Sequence, residues 1–427
     1  MEMAWVRVTR TEQLWLKPNT SFSHLCHLSK NLYNEANYVI KQSLKKQGRW
    51  IRYNALYQQL RRSINYRQLP AQTAQQILRL LDKAWNSFFR AIKEWKHHPE
   101  KFKKKPRPPK YKKKNGEHLL VFTNQQCSIK KSVLRFPKKL NFDFEIITRL
   151  ADTTNLREVR VLPKGVGYVC EIVYQKVIAP KATDKMRIAG IDLGVSNIIT
   201  LVNNIGKKPI VVKDDGRGIK SINQFYQKEK ARLQSIYDRQ GIQDGSRMKK
   251  LRAKYERKSM DYTHKLSKRI ITWCVQHRIG KLVIGYNPEW KQQVELGKRN
   301  NQIFVLIPYM KIISMIKYKA EEESIEIALV EESHTSKCSF LDNETIEHHE
   351  RYLGRRIRRG LFRSAQGMLI NADVNGAGNI VRKSEPNAFI RVKADGVGGC
   401  VGLHPARWNL LNDEIARSHL NHMAQIA

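Results

Sequence analysis

Apolar and polar positions change rhythm several times along the chain, and each change predicts a different element. From Trp5 to Trp15 the pattern alternates (VRVTRTEQLWL), the period-two signature of one or two strands. Residues 21–45 switch to a helical rhythm. After Pro70 the apolar positions Ile77, Leu81, Trp85, Phe88, Ile92 and Trp95 recur at steps of three or four. One buried helical stripe is predicted there, with Gln, Arg and Lys on the opposite face. Residues 21–98 therefore read as an α-rich unit. Further on, to about residue 185, short β-like runs dominate (LLVFTNQQCSI, LRFPKKL, GVGYVCEIVYQ), which suggests a small β-barrel or sheet. The N-terminal strands are expected to join it, making the helices an insertion.

The texture changes again at Met186. RIAGIDLGVSNIITLV reads as strand, turn, strand. Residues 246–279 predict a long basic amphipathic helix carrying Leu251, Tyr255, Tyr262, Leu266, Ile270, Trp273 and His277 at helical steps. KLVIGYN (281–287) predicts a buried strand, and Pro308, favoured at a first helical position, predicts a helix start. SIEIALVEES (324–333) predicts another strand, and a helix is expected after Asn371. Strands separated by helices make residues 186–395 an α/β domain. The tail, 396–427, is weakly patterned and expected to be peripheral.

Charge narrows the function. The 427 residues hold 79 Lys and Arg against 38 acids, a formal net charge of +41. Self-repulsion on that scale is tolerated when a polyanion is bound, and nucleic acid is the obvious one. With 41% hydrophobic and 9% aromatic residues the chain folds rather than forming a disordered basic tail. No run approaches the roughly 18 apolar residues of a membrane span. The N-terminal residues lack a leader's apolar core, and the six cysteines include no CxxC pair, so a reducing cytoplasm is expected. The segment KFKKKPRPPKYKKK (101–114) holds nine basic residues and three prolines, which bars a helix interior or a central strand. Either it is a solvated linker, or Lys103, Lys104, Lys105, Arg107, Lys110, Lys112, Lys113 and Lys114 follow a phosphate backbone, with Tyr111 offering a stacking face.

Two carboxylates stand in small-residue settings. Asp192, in IDLG, ends an apolar strand where an unpaired charge is costly, so either a cation partners it or it makes a hairpin turn. Asp373 lies in INADVNGAGNI, where Asn371 or Asp373 suits a helix cap but the crowd of Ala and Gly implies a close neighbour. Two such carboxylates from distant parts of one α/β domain fit a two-metal phosphodiester site, with ions about 4 Å apart. A third acid is wanted. The strand KLVIGYN offers Gly285 instead, and the next strand ends in Glu331 and Glu332.

The ordered set IAGIDLGVSN, LVIGYNPEWKQ, EESHTSKCSFLDNE, GRRIRRGLFRS and INADVNGAGNIVRK resembles the TnpB (OrfB) family of insertion-sequence proteins, relatives of type V CRISPR effectors. KPRPPKYKKK and LLVFTNQQCSIKK extend the resemblance over most of residues 1–395. It implies a multidomain α/β plus β-barrel architecture: an oligonucleotide-binding-like wedge barrel (1–20 and 99–185), an inserted helical recognition domain (21–98) and a RuvC-type RNase H fold (186–395) carrying an insert (333–362). The implied activity is RNA-guided, Mg²⁺-dependent cleavage of double-stranded DNA beside a short adjacent motif, with a guide RNA as cofactor and partner.

By the same resemblance Asp192 matches the first RuvC aspartate and Asp373 the last. The usual second acid would fall at Gly285. In some members this acid has moved to the strand that ends E-S-x-T-S, which here points to Glu332, with Glu331 as neighbour on the opposite strand face. Many relatives carry two CxxC pairs in the insert; here Cys338, His348 and His349 stand alone, so no structural zinc is expected. The insert is expected to be held by Phe340, Leu341, Tyr352 and Leu361. Arg355, Arg356, Arg358 and Arg359 are expected to contact nucleic acid. Gly285 keeps a second reading alive, a guided DNA-binding repressor without catalysis. A strand-transferring transposase is disfavoured, because no paired-histidine site accompanies a Tyr-bearing helix.

Overall fold

The alternating N-terminal stretch folds as one strand, β1 (Val6–Leu16), paired antiparallel over its full length with β7 (Gly167–Ile178). The computed structural model describes residues 5–213, 218–243, 245–287, 305–389 and 405–408. It divides into two units, residues 5–178 and the chain from 179 onward.

In the first unit four helices follow β1: α1 (Thr20–Gln47), α2 (Tyr53–Leu60), α3 (Ile64–Arg67) and α4 (Ala71–His97). The Asn19 side chain accepts the Phe22 amide and starts α1, and Gly48, at φ 63°, ends it in the left-handed conformation. On α4 the predicted stripe is buried at Ile77, Leu81 and Trp85, while Phe88, Ile92 and Trp95 are only partly covered. The stripe ends because the helix outruns its core. β2 (Leu120–Thr123), β6 (Asn155–Lys164) and β7 complete a four-stranded sheet in the order β1-β7-β6-β2. Phe122, Val159 and Ile172 of that sheet share one core with Phe22, Leu32, Ile77 and Leu81. The other β-like runs make a separate three-stranded sheet of β3 (Ser128–Lys130), β4 (Val133–Arg135) and β5 (Ile146–Ile147).

The second unit is built on a six-stranded mixed sheet. β8 (Asp184–Asp192), β9 (Asn197–Asn203) and β10 (Ile210–Lys213) form an antiparallel meander. β11 (Ile279–Gly285) runs parallel to β8, and β12 (Glu326–Val330) runs parallel to β11. The expected strand 324–333 thus stops at Val330, before Glu331 and Glu332. Helices α5 (Ile219–Arg239), α6 (Ser246–Gln276) and α7 (Tyr309–Glu322) lie between β10 and β12 in sequence. Pro308 takes the cap position of α7 rather than its first turn. α5, which the apolar pattern did not announce, packs on α6 through Leu233, Tyr237 and Met248.

Strand alternation sorts the two faces of this sheet. Ala189, Ile191, Leu282 and Ile284 face the core shared with α6 and α7. Ile188, Val202 and Val283 face α8 (Ala372–Ser384), with Ala328 and Val330 packed against the same core. The insert before α8 holds a small sheet of β13 (Arg355–Arg358), β14 (Leu361–Arg363) and β15 (Leu369–Asn371). Phe340 is buried there as expected, but on β14 Phe362, 1% exposed, is the core residue in place of Leu361. From the tail, β16 (Ala406–Trp408) adds in parallel to β10. The rest of 396–427, residues 390–395 and the 288–292 part of LVIGYNPEWKQ lie outside the described residues.

Candidate active site and nucleic-acid interface

By parity along each strand, Asp192 of β8, Gly285 of β11 and Val330 of β12 all point to the α8 side, at neighbouring carboxyl ends of parallel strands. α8 brings Asp373 to the same place. Its cap is Asn371, whose side-chain oxygen accepts the Asp373 and Val374 amides at 3.0 and 3.2 Å, so the expected helix start holds and Asp373 is left free of capping duty. Asn197, at the start of β9, donates to Asp373 Oδ2 at 2.7 Å. Gly376 lies so close that a Cβ there would be 3.1 Å from Asp192 Oδ2. The small residues around Asp373 therefore let a helix approach a carboxylate. Burial and the neighbouring Asp373 charge push the Asp192 pKa well above the ordinary carboxylate range; Arg356 and the Leu193 amide pull the other way.

The two candidate third acids part as neighbouring residues of an extended chain do. Glu331 is exposed, with Ser333 Oγ donating to it and Lys383 Nζ at 3.9 Å. Glu332 turns inward and its Oε1 is buried. A Cβ placed at Gly285 would meet that Oε1 and fall 2.9 Å from Glu332 Cδ and 2.5 Å from Ile380 Cδ1. The carboxylate of residue 332 thus fills the space that a side chain at 285 would need.

Three contacts here were not legible in sequence. Tyr309, 1% exposed, donates its hydroxyl to the Gly194 carbonyl at 2.8 Å. Burial raises its pKa, and the charges of Asp192 and Glu332 add to that rise, so the phenol stays neutral beside both acids. Arg356 of β13 reaches within 3.8 Å of Asp373 Oδ1, and Arg359 donates to Ser196 Oγ. Arg355 and Arg358 are exposed on the same hairpin. A Tyr after Pro308 and an Arg-rich run carry no local mark of these partners.

Hard oxygen donors and a carboxylate pair that raises its own cost of ionisation suit a divalent cation. Asp192 and Asp373 are the pair brought together, while the Glu332 carboxylate faces Gly285 on the neighbouring strand. Among the described residues no group of three or more His, Cys, Asp or Glu side chains is spaced to share one ion. In the insert, Cys338 is buried with its thiol toward the Glu347 carbonyl at 3.6 Å, and the rings of His334 and His348 meet edge to face, centroids 5.8 Å apart.

The basic segment is not a free linker. Three side chains on one face of α1 hold its backbone: Asn37 donates to the Pro109 carbonyl (3.2 Å), Asn34 both donates to and accepts from Lys112 (3.0 and 2.8 Å), and Lys30 donates to the Lys114 carbonyl (2.7 Å). Trp85 in turn donates to Asn37 Oδ1 at 3.0 Å. Lys103, Lys104, Lys105, Arg107, Lys110, Tyr111, Lys112, Lys113 and Lys114 all remain exposed. Docking the backbone while leaving the cations in water makes a fixed basic rail.

The fold and site define a mixed α/β protein with a carboxylate-bearing sheet end and a strongly basic surface. Residues 168–291 match the OrfB_IS605 family model, described as a probable transposase. Residues 309–380 match the Cas12f1-like TNB domain. A TnpB-like protein, ORF457 of Acidianus two-tailed virus, is 24% identical over 424 residues, covering 88% of this chain and 86% of that protein. These matches support a likeness to the TnpB (OrfB) family, related to the type V effectors. Solved structures similar to it include a Cas12f1–sgRNA–target DNA complex (14% identity, TM-score 0.47, 88% of this chain and 98% of that one). Another is the mini-RNA-guided endonuclease CRISPR-Cas_phi3 (10% identity, TM-score 0.44, 88% and 92%). No described helix is long and apolar enough to cross a membrane.

Proposed function

We propose that this protein is an RNA-guided, Mg²⁺-dependent DNA endonuclease whose chemistry lies at the carboxyl ends of β8 and β12. The observation that carries the reading is the approach of Asp373 to Asp192 across the Gly376 contact, with the Glu332 carboxylate in the space opposite Gly285. On this reading the six-stranded unit is a RuvC-type RNase H fold. Residues 5–178 are the wedge with its inserted helical recognition domain. Asp192, Glu332 and Asp373 would hold the Mg²⁺ ions, and Glu331 would not. When bound, such ions stabilise the attacking and leaving oxygens of an in-line phosphodiester displacement.

The chain's own side chains orient that site. Asn197 fixes one Asp373 oxygen, and Tyr309 holds the turn after Asp192 through the Gly194 carbonyl. Arg356, beside Asp373, supplies positive charge for a phosphate arriving at the carboxylates. The rail at 103–114 and Arg355, Arg358 and Arg359 would neutralise backbone phosphates of guide RNA and target duplex. The degenerate insert is read as zinc-free. Purifying the protein with its native flanking sequence and sequencing the RNA that copurifies tests guide binding. One discrete, element-derived RNA is expected, and a random RNA population would overturn the guided reading.

A further inference from the structure

The segment that follows Glu332 is tied to α8 by a chain of buried hydrogen bonds that ends on a carboxylate outside the site. Thr335 donates its amide (3.2 Å) and hydroxyl (2.9 Å) to the Glu332 carbonyl. Asn379 donates to the Thr335 carbonyl (2.9 Å) and the Cys338 carbonyl (2.7 Å); Asn375 donates to Cys338 (2.9 Å) and accepts the Phe340 amide (2.9 Å). Both asparagines are fully buried, two and six residues beyond Asp373 on the same helix. The far end is Glu344, 5% exposed. Its Oε2 accepts the Ser339 amide at 2.6 Å and its Oε1 the Leu353 amide at 2.8 Å, joining two turns of the insert. Arg382, a turn further along α8, donates to the Glu344 carbonyl and to Asn379 Oδ1, each at 3.0 Å.

We infer that Glu344 is a positioning residue: its carboxylate joins the 339 and 353 turns of the insert, whose backbone α8 holds through Asn375, Asn379 and Arg382, and so sets where Glu332 stands relative to Asp373. One carboxylate with two oxygens does here what a multi-ligand metal clamp does elsewhere, drawing separate turns to one point. The reason for a charge in so buried a place is satisfied geometry, since each oxygen has a backbone donor and Arg382 lies alongside. Because Asn375, Asn379 and Asp373 share one helix, loosening the pin moves Glu332 without touching Asp373. The inference rests on the reading of Glu332 as the third acid.

Glu344→Gln keeps the size but turns one acceptor into an NH₂ that faces a backbone N–H. Three readouts on the whole protein separate the cases: hydrogen exchange of residues 333–353, Mn²⁺ binding followed by electron paramagnetic resonance without nucleic acid, and zinc content. Faster exchange at 333–353 is expected, with Mn²⁺ affinity weakened about tenfold, the usual scale for a group that orients a metal ligand. Faster exchange with unchanged Mn²⁺ affinity would reduce Glu344 to a structural role and overturn the inference, as would stoichiometric zinc in the insert. If Glu344→Gln does not fold, Arg382→Gln removes only the outer bonds and is expected to shift Mn²⁺ affinity in the same direction; no shift in that folded variant overturns it equally. Glu332→Gln is the control for the underlying reading: unchanged Mn²⁺ affinity there would refute Glu332 as a ligand, whatever Glu344 does.

Discussion

Adding one methyl group at Gly285 tests the arrangement of the acids without removing any of them. The new Cβ of Gly285→Ala would meet Glu332 Oε1 and lie 2.5 Å from Ile380 Cδ1 and 2.9 Å from Glu332 Cδ. Ordinary contact is about 3.5 Å, so each neighbour has to retreat by up to about 1 Å. Both are the ends of flexible side chains, so the fold absorbs the change near the low end of the overpacking range, about 1 kcal/mol. The carboxylate does not absorb it as easily, because its Oε1 is itself buried. Misplacing a reacting group by about 1 Å costs on the order of 100-fold in rate. Cleavage of a supercoiled plasmid with the matched target should therefore slow about 100-fold, while thermal stability and guided binding change little. A Gly285→Ala protein that folds and cuts at the wild-type rate would refute the assignment of Glu332. Gly285→Glu in a Glu332→Gln background is expected to restore activity only in part, since the longer side chain meets the same Ile380.

Asp192→Ala and Asp373→Ala should each abolish cleavage and leave guided binding nearly intact in gel-shift titrations, because affinity comes from phosphate contacts elsewhere. Replacing Lys103, Lys104, Lys105, Lys112, Lys113 and Lys114 by Gln should weaken nucleic-acid binding and flatten the dependence of log Kd on log salt; an unchanged slope would return the rail to mere solvation. The third concerns His118, buried against Ser29 and Tyr33, whose pKa is lowered to about 4 by burial and, secondarily, by Lys112. Its folded pKa lies below the unfolded value of about 6.5, so the unfolded chain binds the extra proton between the two. Stability should be full above pH 6.5 and fall by about 3 kcal/mol by pH 4, measured by urea unfolding, with His118→Gln flattening that dependence.

Local rhythm carried much of this molecule. The strand, turn and strand read in RIAGIDLGVSNIITLV became β8 and β9, and the stripe from Ile77 to Trp85 became the buried face of α4, because such patterns are properties of a few consecutive residues. The cap at Asn371 was readable for the same reason. Partners distant in sequence were not. Asn197 reaches Asp373 across 176 positions and Arg359 reaches Ser196 across 163, and nothing in either neighbourhood marks the other. The rail shows the difference most plainly: composition announced its charge, but its fixation needed Lys30, Asn34 and Asn37 to share a helix face opposite it. Glu344 lay in a stretch read for missing cysteines, where the compensating group was an ordinary glutamate.

The most direct test of the central claim is cleavage by the wild-type protein, carrying its copurified RNA, of a supercoiled plasmid bearing the matched target. With Mg²⁺ the account predicts linear product from the matched plasmid, none from an unmatched plasmid, and none after chelation or in Asp373→Ala. Tight, target-specific binding by the wild type with no cut at any Mg²⁺ concentration would contradict it and establish a guided repressor instead.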